Sequence, residues 1–337
     1  MTAREPRYPL ALPEAPQRWS ERTVRLATPG GRDRVAGYRL VEPLDASGAP
    51  LADAPTVLAV HGLRGDRHGL DLIARCLPGA RIVVPDLPGH GVSEVLPGAH
   101  DLDAYVSFLD RLVTALGLDG GSGPEASGGL AMLGHSFGSI VAAAFARRHP
   151  ERLRALVLVN PVSSPALRGP RAALSWATEA YYVAGAALPR AVGEPLLRSR
   201  AVVDLVSSAM TCTRSAQVRD FIRAEHRARF AGFADRRSLL DSYRAATRHH
   251  AAEDAHALAV PTLLIAGARD DVSPVAAQEA LAAAAPDARL VVIAGSGHLL
   301  HYEEPAAVAE HARDFLAERG LLAAHESGAT DREGTPA

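Results

Sequence analysis

A serine framed by glycines, Gly134-His135-Ser136-Phe137-Gly138, is the stretch of this chain best suited to covalent chemistry. The apolar run Leu130-Ala131-Met132-Leu133 precedes it, and an alanine-rich stretch from Ile140 to Arg148 follows. Strand, tight turn and helix therefore meet at Ser136, the arrangement of a nucleophile elbow that holds a serine hydroxyl clear of a sheet edge. Glycine suits both flanks, because the backbone there takes up a conformation that a side chain would crowd. A serine hydroxyl is a poor nucleophile at neutral pH. It needs a base within hydrogen-bond reach and a third group to orient that base.

Serine, then acid, then histidine is the chain order expected of such an elbow. His298 lies in Gly295-Ser296-Gly297-His298, just past the apolar run Arg289 to Ile293 and ahead of a proline-initiated helix, and is the expected general base. Loops at the carboxyl ends of strands are where an open α/β sheet places its site. The run Thr262 to Ala266 ends in Gly267-Ala268-Arg269-Asp270-Asp271-Val272-Ser273-Pro274, where either aspartate could orient an imidazole. The expected oxyanion donors are two backbone N–H groups. One belongs to Phe137, next after the nucleophile, and the other to Leu63 in His61-Gly62-Leu63-Arg64-Gly65, after the run Thr56 to Val60. His61 and Gly62 read as shaping that turn and His301 as a surface residue. Arg64 is either a solvated loop residue or a grip for a substrate carboxylate.

The elements that must position these groups follow from punctuation and period. Residues 1–20, with Pro6, Pro9, Pro13 and Pro16, form an irregular lead-in. Thr23 to Ala27, the turn Thr28-Pro29-Gly30-Gly31, and Gly37 to Leu44 predict an antiparallel hairpin at a sheet edge. Short apolar runs then alternate with helical stretches: Thr56 to Val60, Ala80 to Val84, Leu130 to Leu133 and Leu153 to Val159. Such runs are the mark of parallel strands covered on both faces by helices. Asp119 to Gly129 is a flexible connector rather than a phosphate cradle, since no G-x-G-x-x-G opens a helix there. From Ser163 to Ala252 the strand signal gives way to Arg- and Ala-rich helical sequence broken at Pro165, Pro170, Pro189 and Pro195. Strands return at Thr262, and the last helix runs from Pro305 to about Leu316.

Composition sets aside several classes of function. Of 337 residues, 47% are hydrophobic and 22% charged, which is ordinary for a globular chain able to bury a core. A net charge of -2 gives no broad attraction to nucleic acid or acidic membranes, so neither is expected as a partner. Every basic residue is arginine, which removes Schiff-base, pyridoxal-anchoring and P-loop lysine chemistry. Cys76 and Cys212 stand far apart without a pairing pattern. The first twenty residues hold no continuous apolar segment, and the expected location is cytoplasmic. His249, His250, Glu253, Asp254 and His256 fall at helical spacings and read as a solvated helical face, so no metal or other cofactor is expected.

Taken together, these pieces resemble the α/β-hydrolase superfamily from about Val24 to Leu316. The resemblance includes Asp86-Leu87-Pro88-Gly89-His90-Gly91-Val92-Ser93, the stretch Gly267 to Pro274, and the G-x-G-H stretch followed by Glu303-Glu304-Pro305. It implies an eight-stranded, mostly parallel sheet flanked by helices, with a helical cap inserted after the sixth strand. It also selects Asp270 as the acid and leaves Asp86 and Ser93 to shape their loop. The chain then divides into the lead-in (1–20), a core (21–162 and 253–320), the cap (163–252) and a disordered tail (321–337). Trp176, Tyr181, Tyr182, Phe221, Phe230 and Phe233 either line an apolar substrate pocket or form the cap's own core.

Within that family, a serine nucleophile argues against haloalkane dehalogenases and epoxide hydrolases, which use aspartate there, despite the Tyr181-Tyr182 pair. Leu63-Arg64 and Phe137 depart from the prolyl aminopeptidase pattern. Cleavage of a small-molecule carboxylic ester or lactone through an acyl-enzyme is the expected reaction. Competing readings are a carbon-carbon bond hydrolase acting on a diketone, from whose usual elbow Ser139 departs, and a non-hydrolytic lyase, oxygenase or receptor on the same fold.

Overall fold

Along each buried run, alternate side chains must meet opposite layers of helices, and this alternation organises the molecule. The computed structural model describes residues 6–13, 15–28, 31–120, 129–167 and 172–323; residues 121–128 of the expected connector and 324–337 of the expected tail lie outside them. The strands are β1 (Gln17–Leu26), β2 (Arg34–Pro43), β3 (Thr56–Val60), β4 (Arg81–Pro85), β5 (Leu130–His135), β6 (Ala155–Val159), β7 (Thr262–Gly267) and β8 (Ala288–Ile293). They form one sheet in the order β1-β2-β4-β3-β5-β6-β7-β8. β2 pairs antiparallel with β1 and β4, and the remaining neighbours are parallel, as the expected fold class requires.

Leu58, Val60, Met132, Leu156 and Leu158 point into one core, shared with Tyr105, Leu109 and Leu112 of α2 (Leu102–Leu116) and Ile140 and Phe145 of α3 (Phe137–Arg148). Val57, Ala59, Leu133, Val157 and Ile265 point into the other. That second core is closed by Ile73 of α1 (Asp71–Arg75) and by Val308 and Phe315 of the last helix. Asp101 caps α2 by accepting the Ala104 N–H at 2.9 Å, and Gly117 ends it in the left-handed region at φ 71°.

β1 begins at Gln17 rather than at Thr23, so the irregular lead-in stops at Pro16. This edge strand is half solvated, and its alternation is carried by polar side chains that an apolar pattern does not register. The continuous register from Gln17↔Pro43 to Leu26↔Arg34 holds it. Arg18 pairs with Glu42 at 2.8 Å, and Trp19 lies under the guanidinium groups of Arg39 and Arg75.

Between β6 and β7 the described residues form five α-helices: α4 (Ala172–Ala187), α5 (Arg190–Leu197), α6 (Arg200–Met210), α7 (Ala216–Arg229) and α8 (Arg236–Arg248). This insert has a core of its own, built on Tyr182, Leu197, Phe233, Leu239, Leu240 and Tyr243. Hydrogen bonds from Ala234 N–H to the Gly89 carbonyl (2.9 Å) and from Ala251 N–H to the Val162 carbonyl (2.7 Å) tie it down, as does the Tyr105–Ser242 hydroxyl pair (2.6 Å). After β7 come α9 (Val275–Ala284), α10 (Leu300–Glu303) and α11 (Pro305–Glu318). Among the described residues no helix is long and apolar enough to cross a membrane.

The strand order decides where a site can form. From β3 the chain steps to β4 on one side and later to β5 on the other, so the loops after β3 and β5 diverge from a crevice between them. Val60 pairs in register with Gly134, which brings the turn at His61 beside Ser136.

Candidate active site

The elbow is built from its glycines. Ser136 sits at φ 53° and ψ -120°, a left-handed backbone that a non-glycine residue adopts only when the surroundings impose it. A Cβ on Gly134 would stand 2.5 Å from the Gly138 carbonyl oxygen, and one on Gly138 would fall well inside contact with the Val60 carbonyl oxygen. Both obstacles are backbone, which cannot swing aside as a flexible side chain can. Gly138→Ala should therefore lower stability by at least about 3 kcal/mol. Urea unfolding measures this, and an unchanged midpoint would refute the steric account.

Around Ser136 the structure brings together the side chains that the sequence separates. Ser136 Oγ lies 2.8 Å from His298 Nε2. On the far side of the ring, His298 Nδ1–H donates to Asp270 at 2.9 Å (Oδ2) and 3.1 Å (Oδ1). The Asp270 carboxylate is fully enclosed and also accepts the N–H groups of Val272 (2.8 Å) and Ser273 (3.1 Å). These bonds hold the carboxylate plane toward the ring.

Phe137 opens α3, so its N–H is among those at a helix start with no carbonyl one turn earlier. Leu63 follows Gly62, where an added Cβ would lie 3.4 Å from the Ser136 Cβ and 3.2 Å from His135 Nδ1. The turn after β3 thus rests directly on the elbow, and the Leu63 side chain packs against both the main core and that of the insert. His61 shapes this turn as expected: its Nδ1–H donates to the Gly62 carbonyl (2.8 Å), and its Nε2 accepts the Leu87 N–H (3.0 Å). Asp86 organises its own loop, accepting from Val92 N–H (2.8 Å) and from the Arg67 backbone (2.7 Å), while Ser93 Oγ donates to the Asp86 carbonyl (2.7 Å).

Several expected placements are corrected. His301 is not on the surface: it is buried, its ring 3.9 Å from that of His135, and burial drives its pKa well below the ordinary value. His135, the second elbow residue, donates from Nε2 to the His298 carbonyl at 3.1 Å, and burial lowers its pKa to about 3. Neither of Arg64's expected roles matches its surroundings. Only 9% exposed, it donates from Nε to the Phe230 carbonyl (2.9 Å) and from Nη2 to the carbonyls of Leu197 (2.7 Å) and Phe230 (2.6 Å). Its charge is spent on fastening the insert to the turn after β3.

The expected substrate-facing aromatics divide similarly. Trp176, on α4, is 56% exposed. Tyr182 is buried in the insert's core, stacked on Tyr243 at 4.5 Å, and Tyr181 donates its hydroxyl to the Leu196 carbonyl at 3.0 Å. Phe221 and Phe233 are buried in hydrophobic clusters, and Phe230 stacks on His226 at 4.1 Å. Tyr182 and Phe233 join Leu197, Leu239 and Leu240 in the insert's core, whereas Phe221 lies in a second cluster with Leu72, Leu299 and Tyr302 from outside the insert. His249 pairs with Glu253 at 3.1 Å.

Two further polar residues lie near Ser136, His298 and Asp270, and of them only Glu303 stands in a stretch that the family resemblance includes. Asn160, just past β6, and Glu303, on α10, both bond the loop that carries His298. For Asn160 the signal was present but unspecific, a lone amide ending the buried run Ala155 to Val159.

Comparison with known proteins agrees with this architecture. The sequence profile of the alpha/beta hydrolase fold matches residues 55–305. Polyketide synthase ThaQ of Burkholderia thailandensis is 30% identical over 92% of this chain, which spans 15% of that protein's length. The 2-hydroxymuconate semialdehyde hydrolase of Pseudomonas putida is 29% identical, over 72% of this chain and 79% of that one. A thermophilic esterase from Thermogutta terrifontis superposes with a TM-score of 0.68 at 25% identity, over 88% of this chain and 99% of that one. With that profile covering most of its length, the chain belongs to the alpha/beta hydrolase fold family.

Proposed function

We propose that this protein is a serine hydrolase that cleaves a small carboxylic ester or lactone through an acyl-enzyme. The observation that carries the reading is the unbroken relay from Ser136 Oγ through His298 to an enclosed Asp270, with links of 2.8 and 2.9 Å. Ser136 Oγ attacks the substrate carbonyl as its proton passes to His298 Nε2. The imidazolium then protonates the departing alkoxide. Water attacks the acyl-enzyme, gives its proton to the same nitrogen, and Ser136 leaves with that proton restored. The N–H groups of Phe137 and Leu63 receive the oxyanion. The helical insert acts as a cap over this site, and likeness to the Thermogutta esterase supports the ester reading.

Likeness to the Pseudomonas hydrolase supports a second reading, hydrolysis of a carbon-carbon bond in a diketone. Stopped-flow hydrolysis of p-nitrophenyl acetate, run beside a lactone and a ring-cleavage diketone, separates the two. The ester reading expects a burst of nitrophenolate close to one equivalent per active site and a mass increase of one acetyl group. Turnover of the diketone alone, with no burst, would overturn it.

Asp270→Asn tests the relay. A carboxamide at this position presents N–H to Nδ1, which forces the ring proton onto Nε2 and leaves no lone pair for Ser136. A fall in kcat of about 10⁴-fold is expected. Steady-state kinetics on p-nitrophenyl acetate measures it, and a loss smaller than tenfold would assign the orienting role elsewhere.

A further inference from the structure

Asn160 stands where the three catalytic loops meet, yet the acyl-transfer steps do not use it. It is fully buried, with a left-handed backbone at φ 43°. Its own N–H donates to the Ile265 carbonyl in β7 at 2.8 Å, and the carbonyl of its neighbour Val159 accepts the Ser136 N–H at 3.2 Å. Its side-chain NH₂ donates to the carbonyls of Gly297 (2.7 Å) and His298 (2.9 Å), while Oδ1 accepts the Gly267 N–H (2.7 Å). Those partners, two carbonyls and one N–H, admit a single orientation of the amide. One side chain therefore spans the end of the strand that leads to Asp270 and the loop that carries His298. Gly297 is gripped from its other side as well, where Glu303 accepts its N–H at 2.7 Å.

We propose that Asn160 is a positioning residue for the relay. Its amide sets the backbone of Gly297 and His298 against the end of β7, and so sets both the His298–Asp270 pairing and the reach of Nε2 to Ser136. The inference rests on the serine-relay reading above. Residue chemistry accounts for asparagine here. Asparagine tolerates the left-handed region better than most side chains, and its amide both donates and accepts. Glycine would fit the backbone but span nothing. Aspartate would still accept from Gly267 but would bring a carboxylate against two carbonyl oxygens with no proton to offer.

Asn160→Gly and Asn160→Asp both suit the observed backbone and separate the amide's role from strain. Each should lower kcat per titrated active site by about 100-fold, the scale of a displacement near 1 Å, with KM held within about threefold. The rate of Ser136 labelling by a fluorophosphonate should fall in parallel. Thr262→Val is the control: it removes a buried hydroxyl bonded to the Val260 carbonyl at the opposite end of β7. That variant should lose stability while keeping kcat per titrated site. If Asn160→Gly fails to fold, the isosteric Asn160→Asp is decisive alone. Asn160 variants that keep kcat within about threefold, or a Thr262→Val enzyme that falls as far as they do, would overturn the positioning role. A parent enzyme with no acyl-enzyme burst would overturn the relay reading and this inference together; a normal parent burst with unaltered Asn160 variants would overturn only the inference.

Discussion

Ser136→Ala should lower kcat for an activated ester by on the order of 10⁶-fold while leaving KM nearly unchanged. The loss is this large because in the proposed reaction the hydroxyl is the atom that forms the covalent bond. What survives is the contribution of binding and of the oxyanion donors, on the order of 10³-fold over water. Because the relay works as a unit, adding His298→Ala to Ser136→Ala should cost little more than either change alone. Alanine retains the Cβ and tolerates the same φ as serine at this turn, so the variant should fold normally. Steady-state kinetics and fluorophosphonate labelling check both points. Full turnover or continued labelling at another residue in Ser136→Ala would remove the nucleophile assignment.

The second large effect is acid unfolding. Burial pushes the pKa of His90 and His135 down to about 3 and that of His226 to about 4, so the folded chain keeps these rings neutral. In the unfolded chain each titrates near its ordinary value of about 6.5. Below that value the unfolded state takes up protons that the folded state refuses. The stability these residues contribute is thus complete above pH ~6.5 and is lost as pH falls toward the folded values, at about 1.4 kcal/mol per pH unit for each. His61 and His301, likewise lowered by burial, add to the same side.

One buried carboxyl works in the opposite direction. Burial raises Asp71 to about 7, so the folded state holds a proton that the unfolded chain releases, and this offsets about one histidine between pH ~4 and ~6.5. Three histidines against one aspartate leave a net uptake of about two protons on unfolding, or roughly 5 kcal/mol lost between pH 6.5 and 4.5. Set against a total stability of about 5–15 kcal/mol, that removes roughly a third of it or more in mild acid. Urea titrations across this range measure the slope. His226→Phe, which keeps a ring stacked against Phe230 without a titrating group, should flatten the slope by about one proton. A stability independent of pH in this window would refute the account.

Much of the architecture was legible in the chain because it is locally encoded. β3 to β7 are short apolar runs, and a run buried on both faces can hardly be anything but an inner strand. Ser136 was legible for a related reason: the backbone on either side of it admits only glycine, and the two obstructed positions fall within five residues of sequence. The base and two candidate acids, Asp270 and Asp271, announced themselves as residues just past strand ends, where such a sheet presents its loops.

Other features depended on contacts between distant segments. β1 is held by a polar edge register with β2, and polar alternation gives no apolar signal. Arg64 reads as an ordinary loop arginine until the carbonyls of Leu197 and Phe230 arrive over it from the insert. His301 looks polar and solvated, yet its ring is enclosed between His135 and Tyr302. Of the candidate aromatic pocket, Tyr182 and Phe233 joined the core of the insert, Phe221 joined a cluster with Leu72 and Leu299, and Trp176 stayed exposed, because burial is decided by which helices pack and not by residue type. The sequence alone determined the α/β class and the candidate serine and histidine, since backbone constraint and strand burial are local, while the family resemblance chose Asp270 over Asp271. Only the tertiary structure decided how that relay is held. Asn160 and His135 act through hydrogen bonds to backbone groups more than a hundred positions away, and Glu303, besides the nearby Gly297, accepts from the backbone of Cys212 and Thr213 in the insert; nothing in their own neighbourhood specifies those distant partners.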